Sequence, residues 1–257
     1  MVKGLDVFRD FFAGFEKQYV LIGGTAATLA MEAAGLSFRA TKDLDVVLHI
    51  EAMDPDFGNQ LWKFIEIGGY EVRQASETGK PVLYRFQKPR DGRFPAMLEL
   101  FCRAPAGLRL ASGSHLTPLP LGDAISSLSA ILLDEAYYAF TINGRRVVEG
   151  LPWIGAEQLI PLKARAWLDL SKRKDEGESI DSKAIRKHGN DVMRLSQLLA
   201  ADSRIDLVPA MGADLSTFLD GIAADASYEP KHLQIDVTMP EMMERIALAY
   251  GLTTGRS

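Results

Sequence analysis

The sequence predicts an α+β protein, in which a mixed sheet with flanking helices is followed by a mostly helical carboxy-terminal domain. Short apolar runs alternate with helix-like segments through about the first 120 residues, and glycine-rich turns separate them. From Ala156 onward the apolar residues recur mainly at helical spacing. We therefore place one domain at residues 1–120 and a second, mainly helical domain at residues 121–257.

The first elements are predicted to be a helix, a strand, a glycine turn and a second helix. Apolar residues recur at helical spacing from Leu5 to Lys17, and the apolar run at 18–22 indicates a buried strand. Gly23-Gly24 ends that strand. The segment 25–34 is rich in Ala, Leu and Met, which favours a helix, and Gly35 is a typical stop signal.

The following elements alternate between strands and helices. The pattern predicts strands at 43–50, 70–73, 82–87 and 96–102, and helices at 55–67 and 124–135. Asn143-Gly144 lies between two strand-like segments, 138–142 and 145–148, and predicts a β-hairpin because Asn-Gly favours tight hairpin turns.

Composition excludes several classes of protein. The net charge of −5 argues against a uniformly basic nucleic-acid coat, and a single cysteine excludes an internal disulfide framework and a cysteine-built zinc site. No apolar run approaches the ~18 residues that a membrane helix needs. The first residues lack the apolar core of a signal peptide, so we expect a cytoplasmic protein without a membrane partner.

The most informative acids are Asp43 and Asp45 in the predicted strand at 43–50. Side chains alternate along a strand, so both carboxylates project from one face while Leu44 and Val46 project from the other. A divalent cation would relieve their repulsion, since Mg²⁺ is commonly bound by one or two carboxylates together with substrate phosphates. Two solvated carboxylates at a strand entrance remain the alternative.

The glycine pair adds a second feature that suits phosphate. Gly23-Gly24 ends a strand and opens a helix, where backbone amides can face an anion with no side chain in the way. Neither the P-loop pattern nor Gly-x-Gly-x-x-Gly occurs in the chain. One element would offer amides to phosphate, and the next would offer carboxylates to a metal ion.

These residues resemble a known family. Leu21-Ile-Gly-Gly-Thr-Ala-Ala, followed by Lys42-Asp-Leu-Asp-Val-Val, is similar to the nucleotidyltransferase fold of the DNA polymerase β superfamily. The resemblance implies a nucleotidyltransferase-fold sheet in which Gly23, Gly24 and Thr25 hold a nucleoside triphosphate such as ATP. It also implies that Asp43 and Asp45 bind two Mg²⁺ or Mn²⁺ ions.

The same resemblance implies a third carboxylate from a later strand. Glu99 is the only acid in the apolar run Met97-Leu-Glu-Leu-Phe101, and an acid buried without a partner would be costly. Glu99 would therefore be a third metal ligand or would help to deprotonate the acceptor. The alternative is a glutamate on a solvent-facing surface of the sheet.

The second half resembles the AbiEii-type branch of this superfamily, which includes toxins of bacterial toxin–antitoxin systems. The segment from Glu157 to Trp167 is similar to the helix that carries a functional lysine, here Lys163, and Lys187-His-Gly-Asn-Asp191 is similar to a later motif. The resemblance implies that Lys163 neutralises triphosphate charge, that Lys187 helps to bind the nucleotide and that Asp191 completes the pocket. A lysine on an amphipathic helix also often reaches into solvent, so that alternative stays open.

Together these expectations describe a metal-dependent transfer of a nucleotidyl group to an acceptor hydroxyl on tRNA, a protein or a small molecule. Between Lys163 and Lys187 there are eight basic residues and five acids, which could steer RNA towards the protein. The resemblance adds an antitoxin as a partner. The alternatives are a catalytically inactive nucleotide-binding or partner-binding module and a drug-modifying nucleotidyltransferase.

Overall fold

The computed structural model describes residues 2–72, 82–102, 131–132 and 134–252. It confirms the predicted α+β class, with a mixed sheet and a helical carboxy-terminal part. The chain divides into two units, the first formed by Met1–Glu32 and Ser37–Gly155 and the second by Ala33–Leu36 and Ala156–Ser257. The predicted domain boundary at residue 120 lies outside the described residues, as does most of the helix predicted at 124–135.

The first unit contains the sheet and the helices that flank it. Its strands are β1 (Tyr19–Ile22), β2 (Asp43–Leu48), β3 (Glu71–Val72), β4 (Val82–Gln87), β5 (Met97–Cys102), β6 (Arg145–Val148) and β7 (Leu151–Ile154). Its helices are α1 (Leu5–Phe11), α2, which runs from Gly23 to Ala33, α3 (Pro55–Gly68) and α4 (Glu135–Asn143). A short 3₁₀ helix, Ile50–Ala52, follows β2.

The strand order of the sheet is β3-β4-β5-β2-β1-β7-β6. Strand β2 lies centrally, antiparallel to β1 and parallel to β5. All four residues of β1 are buried, and aromatic rings of α1 and α3 pack around Tyr19, with Phe8 and Phe57 at centroid distances of 5.4 and 6.4 Å. This packing holds β1 in the core, and α2 begins directly after its last residue, Ile22.

The prediction of a β-hairpin around Asn143-Gly144 is wrong, because a helix ends there. Residues Glu135–Asn143 form α4, because the Asp134 side chain caps the helix by accepting from the backbone N–H groups of Ala136 and Tyr137. Strand β6 instead pairs with β7. The tight turn between them uses Glu149 and Gly150, which both have positive φ.

The second unit is helical in its described part. Its helices are α5 (Ala156–Asp175), α6 (Ser182–Leu195), α7 (Pro209–Ala224) and α8 (Met239–Ala249), with 3₁₀ helices at Ser196–Leu198 and Pro230–Leu233. Asp181 caps the start of α6, and a capping box of Thr238 and Glu241 begins α8. Across the residues that the structure describes, no helix has the length and apolar character to cross a membrane.

Candidate functional site

The glycine bend lies directly against the second acid of the pair. Strand β1 ends at Ile22, which is in register with Asp45 on β2, and α2 begins at the next residue, Gly23. Gly23 has a φ of +62°, and a Cβ atom placed on it would lie only 1.8 Å from Asp45 Oδ2. Only glycine fits this position, because the carboxylate of Asp45 occupies the space where a side chain would stand.

Backbone and side-chain hydrogen bonds join the start of α2 to the acid strand. The N–H of Gly24 donates to Asp45 Oδ2 across a long 3.4 Å, and the Thr25 hydroxyl donates to the carbonyl of Asp43 at 2.8 Å. Thr25 is completely buried, so its role is to hold the helix start on the strand. The glycine pair and the acid pair therefore form one local site.

The acid pair projects away from the hydrophobic interior. Asp43 and Asp45 are both half-buried, whereas Leu44 and Val46 between and after them are buried. This burial pattern is the expected alternation of a strand with one polar face. Both carboxylates therefore lie on one face, at the end of the central strand beside the glycine bend.

Two residues that sequence reasoning missed complete this side of the site. A Cβ atom on Gly24 would lie 2.6 Å from Thr41 Oγ1 and 3.7 Å from Arg39 Nη2. The signal for them was present in the spacing, because positions 39, 41, 43 and 45 alternate as residues on one face of an extended chain do. The bend thus has a carboxylate beside Gly23, and a hydroxyl and a guanidinium beside Gly24.

Glu99 lies next to the acid pair in the sheet, but its charge is already matched. Parallel pairing of β2 with β5 places Glu99 in register with Asp45, and antiparallel pairing of β4 with β5 places Arg85 opposite Glu99. The Arg85 Nε donates to Glu99 Oε1 at 2.6 Å, and Glu99 is 7% exposed. The Arg85 guanidinium therefore supplies the counter-charge that a buried glutamate needs, without a metal ion.

The predicted three-carboxylate metal centre is not assembled in the described residues. Among residues 2–72, 82–102, 131–132 and 134–252, no group of three or more His, Cys, Asp or Glu side chains could hold a metal ion. The role of Glu99 as a third metal ligand stays a prediction. In that role the Glu99 carboxylate would have to leave its ion pair with Arg85 and bind the metal ion instead. The pair Asp43 and Asp45 is the part of the predicted centre that stands at the bend.

Lys163 and Asp191 meet each other inside the second unit. Lys163 on α5 donates to Asp191 Oδ2 on α6 at 2.8 Å, and these residues are 4% and 0% exposed. The alternative of a solvated lysine is therefore wrong for Lys163. Lys187, one turn before Asp191 on α6, is exposed. The structure thus supports a packing role for the buried pair, and their part in nucleotide binding stays a prediction.

Four of the eight basic residues between Lys163 and Lys187 form ion pairs within the second unit. Besides Lys163, three of these eight residues pair with a carboxylate within 4.0 Å: Arg165 with Asp214, Lys172 with Glu176, and Arg173 with Asp169 and Glu178. The charge available to steer RNA is therefore smaller than the sequence count suggests.

No family model matches the chain, and a search of curated proteins finds no match. The resemblance to nucleotidyltransferases rests on the two motifs, and the geometry that bears on it is the contact between the glycine bend and Asp45.

Proposed function

We propose that this protein is a metal-dependent nucleotidyltransferase, which moves a nucleotidyl group from a nucleoside triphosphate to an acceptor hydroxyl. The observation that carries the proposal is the contact between Gly23 and Asp45, where the carboxylate fills the place of the missing side chain. This contact brings the start of a helix, where backbone amides favour anions, beside two carboxylates that favour a cation.

The residues at the bend fit a bound Mg²⁺ or Mn²⁺ ion. Asp43 and Asp45 offer carboxylate oxygens on one polar face, and such oxygens suit both metals. Mg²⁺ needs only one or two protein carboxylates when substrate phosphates complete its coordination. When bound, the metal would stabilise negative charge on the transferring phosphoryl group.

The chain's own residues would bind and orient the triphosphate. The phosphates would lie at the amino end of α2, an 11-residue helix that begins with Gly23 and Gly24 and whose first backbone N–H groups favour an anion. Thr25 holds that end on β2 through its hydrogen bond to the Asp43 carbonyl. In the reaction, the acceptor oxygen bonds to the α-phosphorus, the bond to the pyrophosphate oxygen breaks, and pyrophosphate leaves. A nearby carboxylate, Asp43 or Glu99, would accept the hydroxyl proton.

The test of this proposal is a labelling experiment with a matched control. The protein would be incubated with each α-phosphate-labelled nucleoside triphosphate, Mg²⁺, and total cellular RNA or protein, and the labelled fraction would be identified. We expect Asp43→Asn and Asp45→Asn each to reduce labelling at least ~100-fold, as loss of electrostatic stabilisation at a reacting centre does. Asp56→Asn, an exposed aspartate on α3, should retain full activity.

Retained labelling by either site variant at saturating Mg²⁺ would remove the assignment. Both variants should unfold cooperatively at temperatures close to that of the wild type, so that loss of labelling reports the site and not the fold. The nature of the labelled fraction would separate RNA, protein and small-molecule acceptors, including the drug acceptors of the alternative enzyme class. A toxin-like role further predicts a tightly bound antitoxin, which co-purification would recover.

A nucleotide-binding module without transferase activity is the second candidate. The Arg85–Glu99 ion pair favours it, because the third acid of the predicted centre is occupied by a guanidinium. Under this alternative the protein binds a nucleoside triphosphate and releases no pyrophosphate with any acceptor fraction. Measurement of pyrophosphate release alongside nucleotide binding therefore decides between the two functions.

A further inference from the structure

We infer that Arg39 is the cation that binds the triphosphate of the nucleotide at the glycine bend, with the Thr41 hydroxyl beside it. This inference rests on the proposed function and assigns a charge partner within the same site. It differs from the expectation drawn from the sequence, in which Lys163 supplies the positive charge.

The position of Arg39 relative to the bend is the first support. The space next to Gly24 is bounded by Thr41 Oγ1 and Arg39 Nη2, at 2.6 and 3.7 Å from where a Cβ atom would stand. The space next to Gly23 is bounded by the carboxylate of Asp45. A phosphate that approaches the bend between these groups would have an acid-bound metal on one side and a guanidinium on the other.

The orientation of Arg39 is the second support. Its Cζ lies over the Phe38 ring at 5.3 Å from the centroid, and the side chain is half-buried. A guanidinium held against an aromatic face loses less conformational freedom when it binds a ligand. The donors of arginine lie in the plane of the group, in a fork that matches the oxygens of a phosphate.

Charge balance is the third support. The carboxylates of Asp43 and Asp45 match the charge of one divalent cation, so the phosphates still need a positive partner from the protein. The ammonium of Lys163 already has Asp191 as a buried counter-charge at 2.8 Å. The Arg39 guanidinium borders Gly24 and so brings a positive charge to the bend, where the phosphates would lie.

The experiment compares nucleotides that differ only in their number of phosphates. Isothermal titration calorimetry in Mg²⁺ would first identify which of the four nucleoside triphosphates binds the wild type best. The tri- and monophosphates of that nucleoside would then be titrated into Arg39→Ala, Arg39→Lys and Arg146→Ala. Arg146 is the matched control, since its guanidinium also stacks on an aromatic ring, 4.8 Å from the centroid of Trp153.

We expect Arg39→Ala to weaken triphosphate binding about 10- to 100-fold, which corresponds to about 1.4–2.8 kcal/mol. The monophosphate should bind this variant nearly as it binds the wild type. Arg39→Lys keeps the charge but loses the fork, so its loss should be intermediate. Arg146→Ala should bind both nucleotides like the wild type.

Three results would overturn the inference, and they are distinguishable. If the wild type binds no triphosphate, the proposed function fails and the role of Arg39 fails with it. If the wild type binds but Arg39→Ala retains its triphosphate affinity, only the inference fails. If Arg39→Ala weakens both nucleotides equally, Arg39 supports the fold or the base and does not bind the phosphates. Thermal unfolding of each variant accompanies the titrations, and Arg39→Lys provides the test if Arg39→Ala is unstable.

Discussion

Replacement of Gly23 by alanine tests the contact on which the candidate site depends. The left-handed backbone at φ +62° costs an L-residue about 1–2 kcal/mol, whatever surrounds it. The new methyl group would also stand 1.8 Å from Asp45 Oδ2, well inside the 3.0 Å limit that real Cβ contacts essentially never cross. Either Asp45 or the start of α2 must therefore move, and such overpacking typically costs about 1–3 kcal/mol more.

Gly35→Ala is the matched control, because it separates backbone strain from the clash. Gly35 has a φ of +71°, and a Cβ atom there would have no neighbour within 4 Å. We expect Gly35→Ala to lose about 1–2 kcal/mol of unfolding free energy from the backbone alone. Gly23→Ala should lose about 2–5 kcal/mol, the sum of the two contributions. Urea denaturation at neutral pH measures both changes.

A double substitution then tests whether Asp45 is the residue that clashes with the new methyl group at position 23. In Gly23→Ala/Asp45→Ala the carboxylate is gone, so the combined loss should be smaller than the sum of the two single losses by about 1–2 kcal/mol. Nucleotidyl transfer should be lost in Gly23→Ala and retained in Gly35→Ala. A Gly23→Ala protein that is as stable and as active as the Gly35→Ala control would show that Asp45 does not fill the space beside Gly23.

Three other predictions concern charged groups within the units. Lys163→Met should destabilise the protein by about 3–5 kcal/mol in urea denaturation, because it removes the ammonium group from a buried aspartate, and the further change Asp191→Leu should restore most of the loss. Arg85→Met removes the ion-pair partner of Glu99 and leaves its carboxylate beside Asp45, where it could bind a metal ion. Mg²⁺ should therefore raise the melting temperature of this variant more than that of the wild type. An equal rise in both proteins would show that Glu99 is not a metal ligand. Burial raises the pKa of Asp169 above its value in the unfolded chain, so its charge costs stability at neutral pH and that cost disappears as the pH falls below about 4. We therefore expect Asp169→Asn to melt on the order of 1 °C higher than the wild type at pH 7, with no difference at pH 3; a lower melting temperature at pH 7 would contradict this sign.

The elements around the glycine bend were predictable because local signals agree there. The apolar run of β1, the glycine pair and the alternation of Asp43-Leu44-Asp45 each favour the structure that forms. The hairpin predicted at Asn143-Gly144 was wrong because the helix signal lies outside the dipeptide. Asp134 caps α4 from nine residues upstream of Asn143, so the chain reaches Asn143 already as a helix.

The partners of the buried charges could not be predicted from the sequence. Glu99 is isolated in an apolar run, and the same isolation suits a metal ligand and a buried ion pair. The choice of Arg85 as its partner depends on the register of β4 against β5, and one residue of slippage would turn Arg85 to the other face. In the same way, Lys163 meets Asp191 only because α5 packs against α6.

The same strand registers place Glu99 between two possible partners, a metal ion at Asp45 and the guanidinium of Arg85. Asp45 and Glu99 are neighbours in the sheet, and Arg85 lies on the far side of Glu99 from Asp45. A divalent cation at Asp45 would attract Glu99, and the Arg85 guanidinium would hold it back with a short hydrogen bond. The balance between these attractions decides whether two or three carboxylates face the nucleotide. A protein that keeps Glu99 on Arg85 would have only Asp43 and Asp45 for the metal, and transfer would then depend on cations at the other side of the bend, where Arg39 lies.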